Sequence, residues 1–159
     1  MSQGNIKITE LQLSNDKLLP EVVRLLNEGH TVTLRLRGYS MRPFLEDGRD
    51  KALLTKPSVV KVGDPVLAEI SKGRYVLHRV VAIDNNKVTL RGDGNLGIEK
   101  CTINDIKGAV IGFYRKGRDI LDRTDGNKWK TYSYIWTRLL PIRRYLLFVH
   151  RHLFVKNKH

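Results

Sequence analysis

The fold of this chain is decided by residues 75–90, which read YVLHRVVAIDNNKVTL. Two runs rich in β-branched and apolar residues flank the polar tripeptide Asp84-Asn85-Asn86. Runs of this kind favour strands, and asparagine and aspartate favour the tight turns between them. The pattern therefore predicts a β-hairpin, with its first strand over residues 75–83 and its second over residues 87–90.

Short strand-like runs also lie on both sides of this hairpin. Residues 31–37 alternate apolar and polar side chains with a period of two, as a half-buried strand does. Further strands are predicted at residues 51–55, 65–70 and 109–114, with turns marked by glycine, asparagine and aspartate. Short strands joined by short turns predict a mainly β fold, in which one antiparallel β domain is twisted and partly closed like a barrel.

An N-terminal helix is predicted before the strands. Apolar residues from Leu18 to Leu26 recur at a spacing near 3.6, Ser14 or Asn15 can cap the first turn, and Gly29 follows where a helix commonly ends. Residues 1–14 are predicted as a short extended segment.

The C-terminal region is predicted to be helical and rich in aromatic residues from about Thr131. Pro141 should divide this region into two helices or kink one, because proline removes a backbone donor inside a helix. We therefore predict a β domain over residues 1–125, which includes the N-terminal helix, and a helical C-terminal extension over residues 126–159.

The charge is strongly basic and unevenly distributed. The 29 lysines and arginines outnumber the 16 aspartates and glutamates, giving +13, and no acidic residue follows Asp125. Such an excess attracts nucleic acid, anionic lipid or acidic polypeptide. Nucleic acid is disfavoured because the chain has no recognition-helix or ribonucleoprotein motif. Two interpretations of the C-terminal extension stay open: it lies on an anionic membrane surface, or its aromatic residues pack onto the β domain while its arginines face water.

The compartment is constrained by what the sequence lacks. The single Cys101 excludes an internal disulfide and a multi-cysteine zinc site, and favours a reducing compartment. No apolar run is long enough for a signal peptide or a spanning helix. We therefore expect a cytoplasmic protein, at most peripheral to a membrane.

Three segments supply the groups that activate a serine. Ser40 follows a predicted strand, His78 lies in the hairpin, and Asp93 lies in the turn Gly92-Asp93-Gly94-Asn95. A neutral imidazole is the usual base for a serine hydroxyl, and a carboxylate fixes the tautomer of that imidazole. Glu99 is a second candidate for the carboxylate. Each residue also has a plain structural interpretation, as a turn serine, a strand histidine or a turn aspartate.

Together these segments resemble the serine peptidases of the signal peptidase and LexA-like superfamily. The resemblance runs from about Val32 to Gly112, and its motifs are Gly38-Tyr39-Ser40-Met41-Arg42-Pro43, His78-Arg79-Val80 and Gly92-Asp93-Gly94-Asn95. It implies a β domain of the LexA and signal peptidase type, in which an extended peptide docks against a strand in a shallow groove.

The resemblance also implies a role for each matching residue. Ser40 would be the nucleophile, and His78, standing before Arg-Val as in the Ser–His type of the endoplasmic reticulum, would be the base. Asp93 and Glu99 would supply the acids, although Glu99 stands where that type has aspartate. Gly38 and Met41 would lie at oxyanion and substrate-binding positions.

Two functions follow as hypotheses. The first is a serine endopeptidase that cleaves an extended segment of another polypeptide by a Ser–His–Asp/Glu mechanism, with no need of a metal or an organic cofactor. The second is a non-catalytic module that keeps the fold and binds peptide or nucleic acid. The joint presence of a serine, a histidine and an acid favours the peptidase, since binding alone requires none of them.

Overall fold

A computed structural model of the protein describes residues 15–155, so the predicted extended segment lies outside the described residues. The helices are α1 (Asn15–Asn27), α2 (Asn127–Arg138) and α3 (Arg143–His150). The strands are β1 (Val32–Arg35), β2 (Lys51–Thr55), β3 (Pro65–Ser71), β4 (Arg74–Asp84), β5 (Lys87–Arg91), β6 (Glu99–Thr102), β7 (Ile106–Tyr114) and β8 (Leu121–Arg123). Short 3₁₀ turns occupy Ile103–Asp105 and Leu140–Ile142, and a π-helical turn occupies Arg151–Val155.

The eight strands form one antiparallel sheet in the order β1-β2-β7-β3-β4-β5-β6, with β8 paired to the end of β7. The mainly antiparallel β prediction is confirmed. The expected partial closure into a barrel is not found, since β1 and β6 end the sheet on opposite sides and do not pair with each other. Strand β7 lies in the middle of the sheet, between β2 and β3, and β1 and β6 remain edge strands.

The hairpin predicted at residues 75–90 forms. Asp84 pairs with Lys87, which leaves Asn85 and Asn86 in a two-residue turn. Asn85 has φ 52°, in the left-handed region that asparagine tolerates better than most residues. The other predicted strands also form, whereas β6 and β8 were missed because they are short and carry few apolar residues.

Two apolar clusters hold the sheet. The first lies among α1, β2, β7 and the segment after β1, and it includes Leu26, Phe44, Leu54, Phe113 and Trp129. The second is formed by β3, β4, β5 and β7, and it includes Val66, Ala68, Val80, Val88, Leu90 and Ile106. On β3, Leu67 belongs to the first cluster while its neighbours Val66 and Ala68 belong to the second, so this strand is buried on both faces.

The C-terminal helices differ in how they contact the sheet. Trp129 and Trp136 of α2 are buried, and Trp129 joins the first cluster. Helix α3 buries only Arg143. The break at Pro141 is confirmed, because a 3₁₀ turn separates the two helices there. The domain division at residue 125 stays a prediction, although α2 itself packs on the sheet.

No helix between residues 15 and 155 has the length and apolar character needed to cross a bilayer.

Candidate active site

Ser40 lies in a loop that begins where β1 ends. Gly38 has φ 83°, a conformation that side chains rarely adopt, and its N–H donates to the carboxylate of Asp47 at 2.7 Å. Farther along, the fully buried Asp50 accepts hydrogen bonds from the N–H groups of Glu46 and Lys116, each at 2.9 Å. These bonds fix the loop at both ends, and Ser40, which lies between them, is half-buried.

The turn Gly92-Asp93-Gly94 packs directly against the Ser40 loop. The Gly94 N–H donates to the Ser40 carbonyl at 2.7 Å. A Cβ atom at Gly92 would overlap that same carbonyl and would lie 3.0 Å from His78 Nε2. The glycine at position 92 is therefore required by a close backbone approach, and the imidazole edge and the serine backbone meet at this point.

His78 is buried, and its ring is held by Glu99. The separation of His78 Nδ1 and Glu99 Oε2 is 2.9 Å. An ionised carboxylate can only accept, so the proton of this bond belongs to Nδ1 and the lone pair is left on Nε2. The nitrogen that faces the Ser40 loop is therefore the basic one.

Burial lowers the pKa of His78 below its ordinary value. The negative charge of Glu99 and its hydrogen bond oppose this shift, and the cation of Arg74 adds to it. Removing an imidazolium from water disfavours the charged form. His78 is therefore neutral at neutral pH, which is the state that a base requires.

Asp93 forms no hydrogen bond with the imidazole among the described residues, and its role in orienting His78 stays a prediction. Its carboxylate binds Arg79, with Nε to Oδ1 at 2.8 Å and Nη2 to Oδ2 at 2.7 Å, and the two side chains are 1% and 2% exposed. The hydroxyl of Tyr132 donates to the same carboxylate at 2.9 Å, and Trp136 donates its indole N–H to the Asp93 carbonyl at 3.0 Å. Asp93 thus joins the turn beside Ser40 to α2.

The sequence did not single out the residues that surround Asp93. Arg79 also donates to the carbonyl of Gly63 at 3.1 Å and to the hydroxyl of Ser133, and its guanidinium lies 4.5 Å from the ring centre of Trp129. One feature of the sequence does indicate a partner for Arg79. It follows His78 in an apolar strand, where an unpaired charge would be costly.

The Ser40 hydroxyl makes no hydrogen bond to the imidazole or to any other group within residues 15–155. Unbound enzymes often hold such a pair loosely until substrate binds. The Ser40 N–H also has no acceptor in this part of the chain. Both groups are therefore available to a ligand that enters beside them.

Gly38 and Met41 lie on either side of Ser40, and their roles at oxyanion and substrate-binding positions stay predictions. The Gly38 N–H is occupied by Asp47, and Met41 is buried in the first apolar cluster. Met41 also borders the cavity in front of Ser40, as does the carboxamide of Asn95. Asn95 Nδ2 would lie 2.9 Å from a Cβ at Gly92, which brings a further donor next to the same point.

A groove of about 1100 Å³ opens from Ser40 and His78 along the sheet. One wall is α1 and the other is the first half of β4, while β1 runs along the groove. Strand β1 is at the edge of the sheet and pairs only with β2 among the described residues. Both apolar and charged side chains border the groove. The apolar ones include Leu18, Leu19, Val22, Leu25, Val32, Leu34, Met41, Leu67, Tyr75 and Leu77. The charged ones are Glu21, Arg35, Arg37, Glu46, Lys51, Arg74 and Glu99.

The fold and the site define an antiparallel β protein in which a buried histidine, paired with a half-buried glutamate, faces a serine loop. No protein-family model matches the chain, and no curated protein matches it. The geometry of the site is thus the ground for assigning a function.

Proposed function

We propose that this protein is a serine endopeptidase that cleaves an extended segment of another polypeptide, with a domain of the signal peptidase and LexA-like type. The observation that carries the proposal is the His78–Glu99 pair. The Nδ1 of a buried imidazole is bonded to a carboxylate at 2.9 Å, and its Nε2 faces the loop that holds Ser40. A binding protein has no need of such a pair.

In the proposed reaction the Ser40 hydroxyl attacks the carbonyl carbon of the scissile peptide bond. His78 Nε2 takes the hydroxyl proton, and Glu99 stabilises the imidazolium that forms. The oxygen of the tetrahedral intermediate accepts a hydrogen bond from the Ser40 N–H, which has no acceptor of its own in the described chain. His78 then gives the proton to the leaving amine, and water hydrolyses the acyl-enzyme.

The groove supports an extended polypeptide as the substrate. Within residues 15–155 no strand pairs with the outer edge of β1, so the backbone of Val32–Leu34 is where a peptide could pair as an added strand. Apolar residues of α1 and β4 form the walls beside this edge, where alternate side chains of the peptide would lie. Ser40 lies in the loop that follows β1 and borders the same groove, so a peptide that pairs with β1 and continues toward this loop would bring its scissile bond to Ser40.

The test is to incubate a library of extended peptides with the wild-type chain and with the double variant Ser40→Ala/His78→Ala. Peptides that are cut only by the wild type support the proposal. Equal processing by both proteins would show that the cuts come from another source. Peptide binding without cleavage by the wild type would replace the peptidase with a peptide-binding module.

Glu99→Gln should reduce kcat by about 10²- to 10⁴-fold, because an amide in place of the carboxylate no longer fixes the tautomer or stabilises the imidazolium. The measurement is steady-state cleavage of a peptide found with the library. Glu28→Gln is the control, since Glu28 is an exposed glutamate bonded to Arg24 at the end of α1. An unchanged kcat in Glu99→Gln would remove Glu99 from the mechanism.

The pH profile should report the lowered pKa of His78. Because the base works when neutral, kcat/KM should stay constant around neutral pH and fall only below the ordinary histidine value of about 6.5. Arg74→Gln removes a cation that lowers this pKa, so it should shift the acidic midpoint to higher pH. Lys72→Gln, in the same turn, is the matched control. A midpoint above 6.5 in the wild type would contradict burial as the dominant influence on His78.

A further inference from the structure

The C-terminal helices expose an unusual amount of apolar surface. Tyr145 and Phe148 of α3 are 61% and 60% exposed, and Phe154 in the following π-helical turn is 66% exposed. Tyr134 and Ile135 on α2 are exposed as well. Isolated exposed apolar residues are common, but a group of large ones on consecutive elements marks a contact surface.

The exposed residues of α3 share one side of the helix. Arg143 is buried and donates to the carbonyl of Trp136 at 2.8 Å, and Leu147, four positions later, is half-buried. Tyr145, Phe148 and Val149 are spaced three and four apart, so they point together away from that anchored side. Helix α3 is therefore fixed to the protein along one side and presents aromatic and aliphatic groups on the other.

Cations border this apolar side. Arg144 lies beside Tyr145, with its guanidinium 5.1 Å from the ring centre, and Arg151 follows Arg144 by seven positions on the same flank. On α2, the guanidinium of Arg138 lies 4.2 Å from the ring centre of Tyr134. Since no acidic residue follows Asp125 in the sequence, nothing on these helices offsets the positive charge.

The anchored side of α3 faces the Ser40 loop. Leu147, His150 and Arg151 line a cavity of about 400 Å³ whose opposite wall is Tyr39, Arg42 and Gly94. Tyr39, next to Ser40, is 60% exposed. Leu96 and Ile98, between Asn95 and Glu99, are also exposed apolar residues. Exposed apolar residues therefore occur both on α3 and at the rim of the candidate active site.

We propose that the exposed side of α3 and the π-helical turn form a docking surface for an anionic lipid bilayer, which holds the candidate active site close to the membrane. An apolar side flanked by arginines is the arrangement with which amphipathic helices lie in the lipid headgroup region. The arginines add attraction to anionic headgroups. Nucleic acid would use the cations but would leave the aromatic side chains in water, so a bilayer fits the surface better.

The consequence for substrates rests on the proposed function. A peptidase docked in this way acts on polypeptide segments presented at a bilayer surface. The docking itself does not depend on cleavage, so the two can be measured separately.

The test is co-sedimentation of the full chain with vesicles of phosphatidylcholine alone and of phosphatidylcholine mixed with phosphatidylglycerol. We expect binding to the mixed vesicles that added salt weakens but does not abolish. Tyr145→Ser/Phe148→Ser should reduce the apparent affinity by about tenfold or more, since it removes apolar groups that enter the headgroup region. Arg144→Gln/Arg151→Gln should remove most of the preference for the anionic vesicles.

Val59→Ser/Ile120→Ser is the control, because it removes two exposed apolar residues outside the C-terminal helices. Unchanged melting temperatures of all variants establish that they fold. Absence of binding to the mixed vesicles would overturn the proposal. Equal binding of the wild type and Tyr145→Ser/Phe148→Ser to the mixed vesicles would overturn it too. Equally tight binding of both proteins to RNA, without binding to vesicles, would also overturn it.

Cleavage of a soluble peptide without vesicles separates this proposal from the proposed function. The Tyr145→Ser/Phe148→Ser variant should cut that peptide at the wild-type rate. Vesicle binding without any peptide cleavage would refute the peptidase and leave the docking surface standing. Peptide cleavage without vesicle binding would refute the docking surface and leave the peptidase standing.

Discussion

Ser40→Ala should lower kcat by about 10⁴- to 10⁶-fold, the range expected when a catalytic serine loses its nucleophilic oxygen. The variant loses only a hydroxyl that makes no hydrogen bond within the described chain. Its stability should therefore stay close to that of the wild type. A large loss of rate without a loss of stability is the pattern of a nucleophile and not of a structural serine.

The serine and its base can be tested together with two single variants and one double variant. Ser40→Ala, His78→Ala and the double variant should all fall to the same residual rate, because a nucleophile and its base act as one unit. Single-turnover cleavage of a library-derived peptide measures each rate, and Ser58→Ala, in the exposed loop after β2, is the matched control. Additive losses in the double variant would show that the two residues act independently and would refute the proposed mechanism.

Asp93→Asn should destabilise the protein by about 3–5 kcal/mol, since breaking one side of a buried ion pair leaves an uncompensated charge. The guanidinium of Arg79 would keep its bonds to Gly63 and Ser133, but it would lose the opposite charge and one of its two bonds to position 93, because a carboxamide has a single acceptor oxygen. Tyr132 would lose an ionised acceptor, and its own hydroxyl cannot replace the charge, because burial raises the pKa of that phenol far above its usual value. Urea denaturation measures the free energy of unfolding.

Asp119→Asn is the control, because Asp119 is exposed and forms no ion pair in the described chain. Arg79→Met should destabilise the protein similarly, and combining it with Asp93→Asn should cost less than the sum of the two, because both remove the same interaction. A stable Asp93→Asn variant with a greatly reduced kcat would instead return Asp93 to the role of orienting His78.

The sequence was sufficient for the strands with strong apolar patterns. Residues 51–55 and the hairpin at Asn85-Asn86 were predicted closely, because alternation and turn residues act locally. Strand β6 was missed because Glu99-Lys100-Cys101-Thr102 has little apolar character of its own. It becomes a strand by pairing with β5, an interaction that only the folded sheet provides.

The same omission explains why the acid beside His78 was undecided. Glu99 pairs with Leu90 on β5, and Leu90 pairs with Val80 on β4, two residues from His78. Unless β6 is predicted, the sequence pattern does not indicate that Glu99 lies across β5 from the strand that carries His78. Asp93 is part of the motif Gly92-Asp93-Gly94-Asn95, which made it a candidate for the acid. Its partners Tyr132 and Trp136 lie 39 and 43 positions away in the sequence, and no local sequence pattern predicts such contacts.

The docking of α2 on the Asp93 turn also sets an order of assembly during synthesis. Ser40, His78 and Glu99 all leave the ribosome before Trp129, Tyr132 and Trp136, and chains fold from the N-terminal side as they emerge. Until α2 arrives, the Arg79–Asp93 pair has no aromatic cover, and the turn that supports the Ser40 carbonyl is held by fewer bonds. The contacts that complete the candidate site therefore depend on a helix that is synthesised after the whole β sheet.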